Sequence, residues 1–136
     1  DIESYIGYLE IPKIKFRRGF YNIDSSLNTV EANIEIIQGS VLPNVTNGNL
    51  IIAGHSGTGW KAFFKDLYKL EIGDEANVTY GGLTYRYKIT NIYQEPNTGK
   101  VSIKRNHDKT TLTLITCTKD DSSTQTIYIA ELYTIE

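Results

Sequence analysis

The chain has 136 residues, enough for one domain with a substantial core, and carries a formal net charge of -2. That balance argues against a nucleic-acid or general anionic-membrane partner, and a single cysteine excludes both an internal disulfide framework and a Cys-rich zinc site. No apolar run reaches the length of a membrane span and no signal-peptide pattern is present; the start at Asp1 rather than Met is read as removal of an anchor or signal.

In chain order, YIGYLEIPKIKF (5–16) is apolar and β-branched, with Pro12 marking an edge or a break. Ser26–Gln38 has helical spacing through Leu27, Val30, Ile34 and Ile37. Asn28 and Glu31 resemble a capping box there, and Gly39 stands at the C-cap position. NLIIAGHSGTG (49–59) reads as a short buried strand that opens into a glycine-rich loop. Trp60–Leu70 returns to helical spacing through Phe63, Phe64 and Leu67, and is read as core packing, with Trp60 fitting either the core or a substrate wall.

Residues 75–93 carry a hairpin signal around Gly81-Gly82. Leu83, Tyr85, Tyr87 and Ile89 share one face, while Thr84, Arg86 and Lys88 share the other. Residues 95–100 read as a loop. Leu112 and Leu114 alternate with Thr111 and Thr113 up to Cys117, TKDDSST (118–124) forms a polar loop, and Thr126–Leu132 closes the chain as a strand. Many short strands with two short helices predict one mainly β domain over 1–136, a closed or nearly closed barrel.

Two side chains stand out for chemistry. Cys117 and His55 both sit where an apolar strand ends, where a side chain is held by the fold yet can face a groove. Each alone has a plainer reading: an unpaired Cys packs as a small hydrophobe, and a lone His is often incidental. Their matching placement favours a nucleophile and base pair. His107, in the polar turn KRNHDK, reads as a solvated loop residue. Asp120 and Asp121 read as turn formers rather than as a selector for a cationic nucleophile. No clustered carboxylates suggest a metal, and neither metal nor cofactor is expected.

TLITC (113–117) resembles the TLxTC signature of sortases, the cysteine transpeptidases of Gram-positive cell surfaces. NLIIAGHSGTG is similar to the strand and loop that carry their histidine, and GYLEIPKI to their opening strand. The order of elements agrees over nearly the whole chain, and the subclass resembles class B or another clostridial-type group. The resemblance implies a sortase-type barrel of about eight strands with short helices. Cys117 then matches the nucleophile, His55 the imidazole that protonates the departing amine, and Thr116 the residue that shapes the site beside the Cys.

The resemblance further implies cleavage of an LPxTG-like sorting motif through a thioacyl intermediate. The acyl group passes to an amine of a peptidoglycan precursor or a pilin, on the outer face of the membrane of a Gram-positive bacterium. A membrane is involved only through an N-terminal anchor absent from this sequence. One position departs from the pattern: aligning IYIAEL (127–132) puts Gln125 where the family has an Arg, and no Arg follows Arg105. An amide can donate to an oxyanion or substrate carbonyl but lacks the charge and fork of a guanidinium. Gln125 itself, a donor such as Arg105 or Lys119, or a substituted Arg all fit, and without the cation slow turnover is expected. A hydrolytic cysteine peptidase and a weakly active peptide-binding barrel are the competing readings.

Overall fold

The computed structural model describes residues 4–136. β1 (Tyr5–Ile11) and β2 (Phe16–Tyr21) pair antiparallel around a single 3-10 turn at Pro12–Ile14. Pro12 breaks the strand as its missing N–H predicts. β3 (Glu35–Ile36) and β4 (Asn49–Ala53) follow, then the hairpin β5 (Glu75–Tyr80) and β6 (Leu83–Pro96), and finally β7 (Thr111–Thr118) and β8 (Asp121–Ile135). Gly81 and Gly82, with φ of 60° and 80°, supply the two positive angles of the β5–β6 turn.

The sheet order is β2-β1-β5-β6-β8-β7-β4-β3, an eight-stranded barrel that is nearly closed. Closure relies on a side chain. The buried Asn33, just ahead of β3, donates from Nδ2 to the Gly19 carbonyl of β2 at 2.9 Å and accepts from Arg18 Nε. Inside lie Leu9, Ile11, Phe20, Leu50, Ile52, Val78, Tyr87, Ile89, Leu112 and Leu114. Each aliphatic side chain so buried contributes about 1.5–3 kcal/mol.

β4 and β7 are the one parallel pair, and they are buried on both faces, as parallel strands commonly are. Outside them a second cluster joins Ile51, Ile115, Ile127 and Ile129, with Val101 and Ile103 of the β6–β7 connection packed against it. Thr111 and Thr113 are fully buried on that same outer face and both donate to Asn49 Oδ1 at 2.9 Å, so the polar residues of the strand lock β7 to β4.

The two expected helices do not form. In 26–38 the groups that a helix would use locally are taken by distant partners. Val30 N donates to the Glu35 carboxylate, and the Asn28 amide both accepts from Ile36 N at 2.7 Å and donates to Ile36 O at 3.0 Å. Asn28 therefore imitates a neighbouring strand rather than capping a helix. In 60–70 the Phe64 N–H, which a helix would send to the Trp60 carbonyl, goes to His55 O at 2.8 Å. Only a 3-10 turn at Leu67–Lys69 remains. Phe64 and Leu67 are buried as expected, whereas Trp60 is 79% exposed and belongs to no core.

Two boundaries also move. β6 runs on to Pro96, and β8 begins at Asp121, so the expected 118–124 loop shrinks to a tight turn at Lys119-Asp120. Asp120 adopts φ 63° there and Asp121 caps Ser123 N, which is the turn-forming role expected of both.

Candidate functional site

β4 and β7 run in parallel register from Asn49 opposite Thr111 to Ala53 opposite Ile115. Beyond β4 the chain stays tied to β7. Gly54 N donates to Ile115 O at 3.1 Å, the buried Thr116 hydroxyl donates to Gly54 O at 2.8 Å, and Ser56 Oγ donates to Cys117 O at 3.0 Å. Residues 54 and 56 are thus both anchored to the 115–117 stretch, and His55 lies between them. Continuing the register by two places sets His55 opposite Cys117. Both line one cleft of about 930 Å³, with Thr116, Lys119, Tyr68 and Tyr128.

Gly54 is required by close approach. A Cβ there would meet the Phe64 ring at 2.7 Å, and Phe64 is the fully buried residue whose N–H holds the His55 carbonyl. The backbone of His55 is therefore fixed from both sides, while its side chain is 42% exposed. The ring has a partner that the sequence did not suggest: Glu31 Oε1 lies 3.1 Å from His55 Nε2. Glu31 sits in the turn chain that Asn28 and Glu35 brace, so a residue expected to cap a helix instead reaches the imidazole. Spacing carries no signal for such a contact.

On the other side of Cys117 stands Gln125. The two form a directly opposed antiparallel pair, so their side chains share one face of the sheet. By strand alternation that face continues the apolar stripe of Ile115 and Ile127 under Val101 and Ile103. The thiol is partly exposed. Gln125 Oε1 is buried and has no hydrogen-bond partner.

The charged alternatives separate cleanly. Arg105 donates to Lys109 O, to Thr111 Oγ1 and to Asn47 O. It clamps the start of β7, about 20 Å of extended strand from Cys117, and is no donor to the thiol. Lys119 is on the cleft, with Nζ 2.9 Å from Asp120 and 4.9 Å from the Tyr68 ring centroid. The hydrogen bond to Asp120 raises its pKa, so it is a paired cation rather than a free one. Tyr128, also on the cleft, is pushed up to about 12 by burial and stays a neutral phenol across the physiological range. His107 is an exposed turn residue, as expected.

Asn97 is a further neighbour that the sequence placed only in a loop: its Nδ2 lies 3.9 Å from Cys117 Sγ. Among the described residues no group of three or more His, Cys, Asp or Glu could hold a metal ion. No helix among them is long and apolar enough to cross a membrane.

The sortase-domain family model matches residues 9–133. Among solved structures, the chain is similar to a sortase D5 transpeptidase from Clostridium perfringens, at 28% identity and TM-score 0.80, covering 98% of this chain and 82% of that one. It is similar to a lid mutant of sortase A from Corynebacterium diphtheriae, at 25% identity and TM-score 0.84, covering 98% and 72%. It also resembles sortase C1 from Streptococcus agalactiae, at 26% identity and TM-score 0.84, covering 98% and 70%. Similarity thus spreads over three lettered groups and singles out none. Among curated proteins no sequence matches the chain.

Proposed function

The chain belongs to the sortase family, a family of cell-wall transpeptidases, and from that premise we propose that it is a cysteine transpeptidase with Cys117 as nucleophile and His55 as its proton carrier. The observation that supports this reading is the anchoring of Gly54 and Ser56 to Ile115, Thr116 and Cys117, which keeps the backbone of His55 level with that of Cys117 on a cleft that both residues line.

The reaction is a two-step acyl transfer. Cys117, its proton taken up by His55, attacks a backbone carbonyl of a sorting motif of the LPxTG kind. The C–N bond then breaks, the amine leaves with the proton from His55, and a thioester remains on Cys117. An incoming amine, from a peptidoglycan precursor or a pilin, attacks the thioester and gives its proton to His55, and the sulfur departs. Thr116 holds the His55 segment at its distance from β7. Gln125 offers Nε2 to the carbonyl oxygen of the substrate from the position where the family has a guanidinium. Losing that charge weakens oxyanion stabilisation by up to about 2.7–4 kcal/mol, on the scale of oxyanion donors elsewhere, and this supports slow turnover. The Asp120 partner of Lys119 leaves no free cation on the turn to compensate.

With this reading goes an address on the outer face of the membrane of a Gram-positive bacterium. Tethering there would need a segment beyond the residues described. The test is intact-protein mass spectrometry after exposure to a sorting-peptide library. An acyl adduct on the wild type that is absent from Cys117→Ala, and that is released as an amide when oligoglycine is added, supports the proposal. Release as free acid with or without the amine would instead identify a hydrolytic peptidase. No adduct, with no rate advantage of Cys117 over a free thiol toward a peptidyl electrophile, would identify a peptide-binding barrel.

A further inference from the structure

The sulfur of Cys117 has one hydrogen-bond donor among the described residues. Asn97 follows β6 directly, and its side-chain Nδ2 points at two acceptors: Ser122 O at 3.3 Å and Cys117 Sγ at 3.9 Å. A carboxamide nitrogen carries two hydrogens, so this pair uses both of them. The contact also fixes which end of the amide faces the thiol. Swapping O and N would set Oδ1 against the Ser122 carbonyl oxygen, where neither atom can donate. The backbone holds the residue in place, since Asn97 N donates to Ser123 O at 2.8 Å and Pro96 is paired with Thr124.

We propose that Asn97 is a further catalytic residue, whose amide N–H hydrogen-bonds the Cys117 thiolate and so supplies, as a neutral dipole, part of the stabilisation that a cation would give. The inference rests on Cys117 being the nucleophile. When the thiol proton passes to His55, negative charge appears on sulfur, and a hydrogen bond to a charged acceptor is stronger than one to the neutral thiol. The donor stands 3.9 Å from the sulfur before the proton moves, so only a short approach is needed at that moment. Gln125 cannot take the same part through the atom that is buried, because Oε1 is an acceptor. Of the two amides, Asn97 is the one whose nitrogen lies toward the sulfur.

The experiment measures the alkylation rate of Cys117 by iodoacetamide against pH. There the thiolate forms an S–C bond and iodide leaves, so no peptide substrate is required. The other groups near the sulfur are His55, Lys65, Glu95, Lys119, Asp120 and Asp121. They are the same in wild type and variants, and their effects cancel in the comparison. Asn97→Ala should move the midpoint of the profile upward and slow alkylation at pH 7 by about three- to tenfold, the span of one hydrogen bond. The plateau at high pH should not fall. Asn97→Asp, which keeps the shape but puts a carboxylate against the sulfur, should move the midpoint further up. Thermal unfolding followed by circular dichroism confirms that both variants are folded.

An unchanged midpoint in both variants overturns the proposal. A lowered plateau with the midpoint unmoved overturns it too, because that signature belongs to altered access. Failure of the wild type to form any acyl adduct is a separate result: it removes the transpeptidase reading and the catalytic role of Asn97 together, whereas a null alkylation result with normal acylation removes Asn97 alone.

Discussion

Thr116→Val tests whether one buried hydroxyl sets the distance between His55 and Cys117. Thr116 is 5% exposed and its Oγ1 bonds Gly54 O at 2.8 Å. Valine preserves the shape and removes the donor, leaving a carbonyl of the buried Gly54 without its side-chain partner. A loss of this kind costs about 1–3 kcal/mol. For a chain of this length the unfolding entropy is about 0.29 kcal/mol/K, so the melting temperature should drop by about 3–11 °C. If release of Gly54 moves the imidazole by a few tenths of an ångström, acylation of Cys117 should slow by about tenfold, given that 1 Å of misplacement can cost about a hundredfold. Thr116→Ser keeps the hydroxyl and should restore most of the rate even if packing is poorer. Rates come from mass-spectrometric time courses of acyl-enzyme formation well below the melting point of each variant. Wild-type acylation by the Val variant, or a Ser variant as slow as Val, would refute the positioning argument.

Three other outcomes follow from the same geometry. Glu31→Gln removes the carboxylate 3.1 Å from His55 Nε2; the pair is exposed, so stability should change by less than about 1 kcal/mol. Acyl transfer should slow by about three- to tenfold, and 0.5 M salt should reproduce part of that loss in the wild type, as stopped-flow or mass-spectrometric rates would show. Gln125→Arg returns a charged donor to the position opposite Cys117 and should raise the acylation rate by about tenfold or more, within the ceiling of about a thousandfold for a single oxyanion donor. Asp74→Asn probes acid stability. Burial opposes ionisation of Asp74, but hydrogen bonds from Lys13 and from Glu71 N outweigh it and hold the carboxyl below its ordinary value. Its contribution is therefore present above the ordinary carboxylate range and lost as pH falls through the depressed value. The variant should show a shallower fall in urea midpoint between pH 5 and pH 3 than the wild type, with any difference greatest at pH 7. Lys13, raised mainly by its bond to Asp74, would lose its share only at strongly alkaline pH.

Wherever a local pattern and its tertiary surroundings agreed, the sequence by itself determined the outcome. The alternation in Leu83–Ile89, the Gly81-Gly82 turn, the break at Pro12 and the apolar strands ahead of His55 and Cys117 are all present as read. Period-two burial and positive φ are demands that a few neighbouring residues can state for themselves. Only tertiary structure decided 26–38 and 60–70. Their apolar spacing is helical, but Glu35, Ile36 and His55 compete for the amides and carbonyls that a helix needs, and spacing does not record such partners. The site divides in the same way. Cys117 and His55 could be picked out because each ends a recognisable strand, and Gln125 because it departs from a pattern. Glu31 and Asn97 lie 24 and 20 positions from the atoms they touch. They reach the imidazole and the thiol only because the barrel brings a braced turn and a strand end to the same rim.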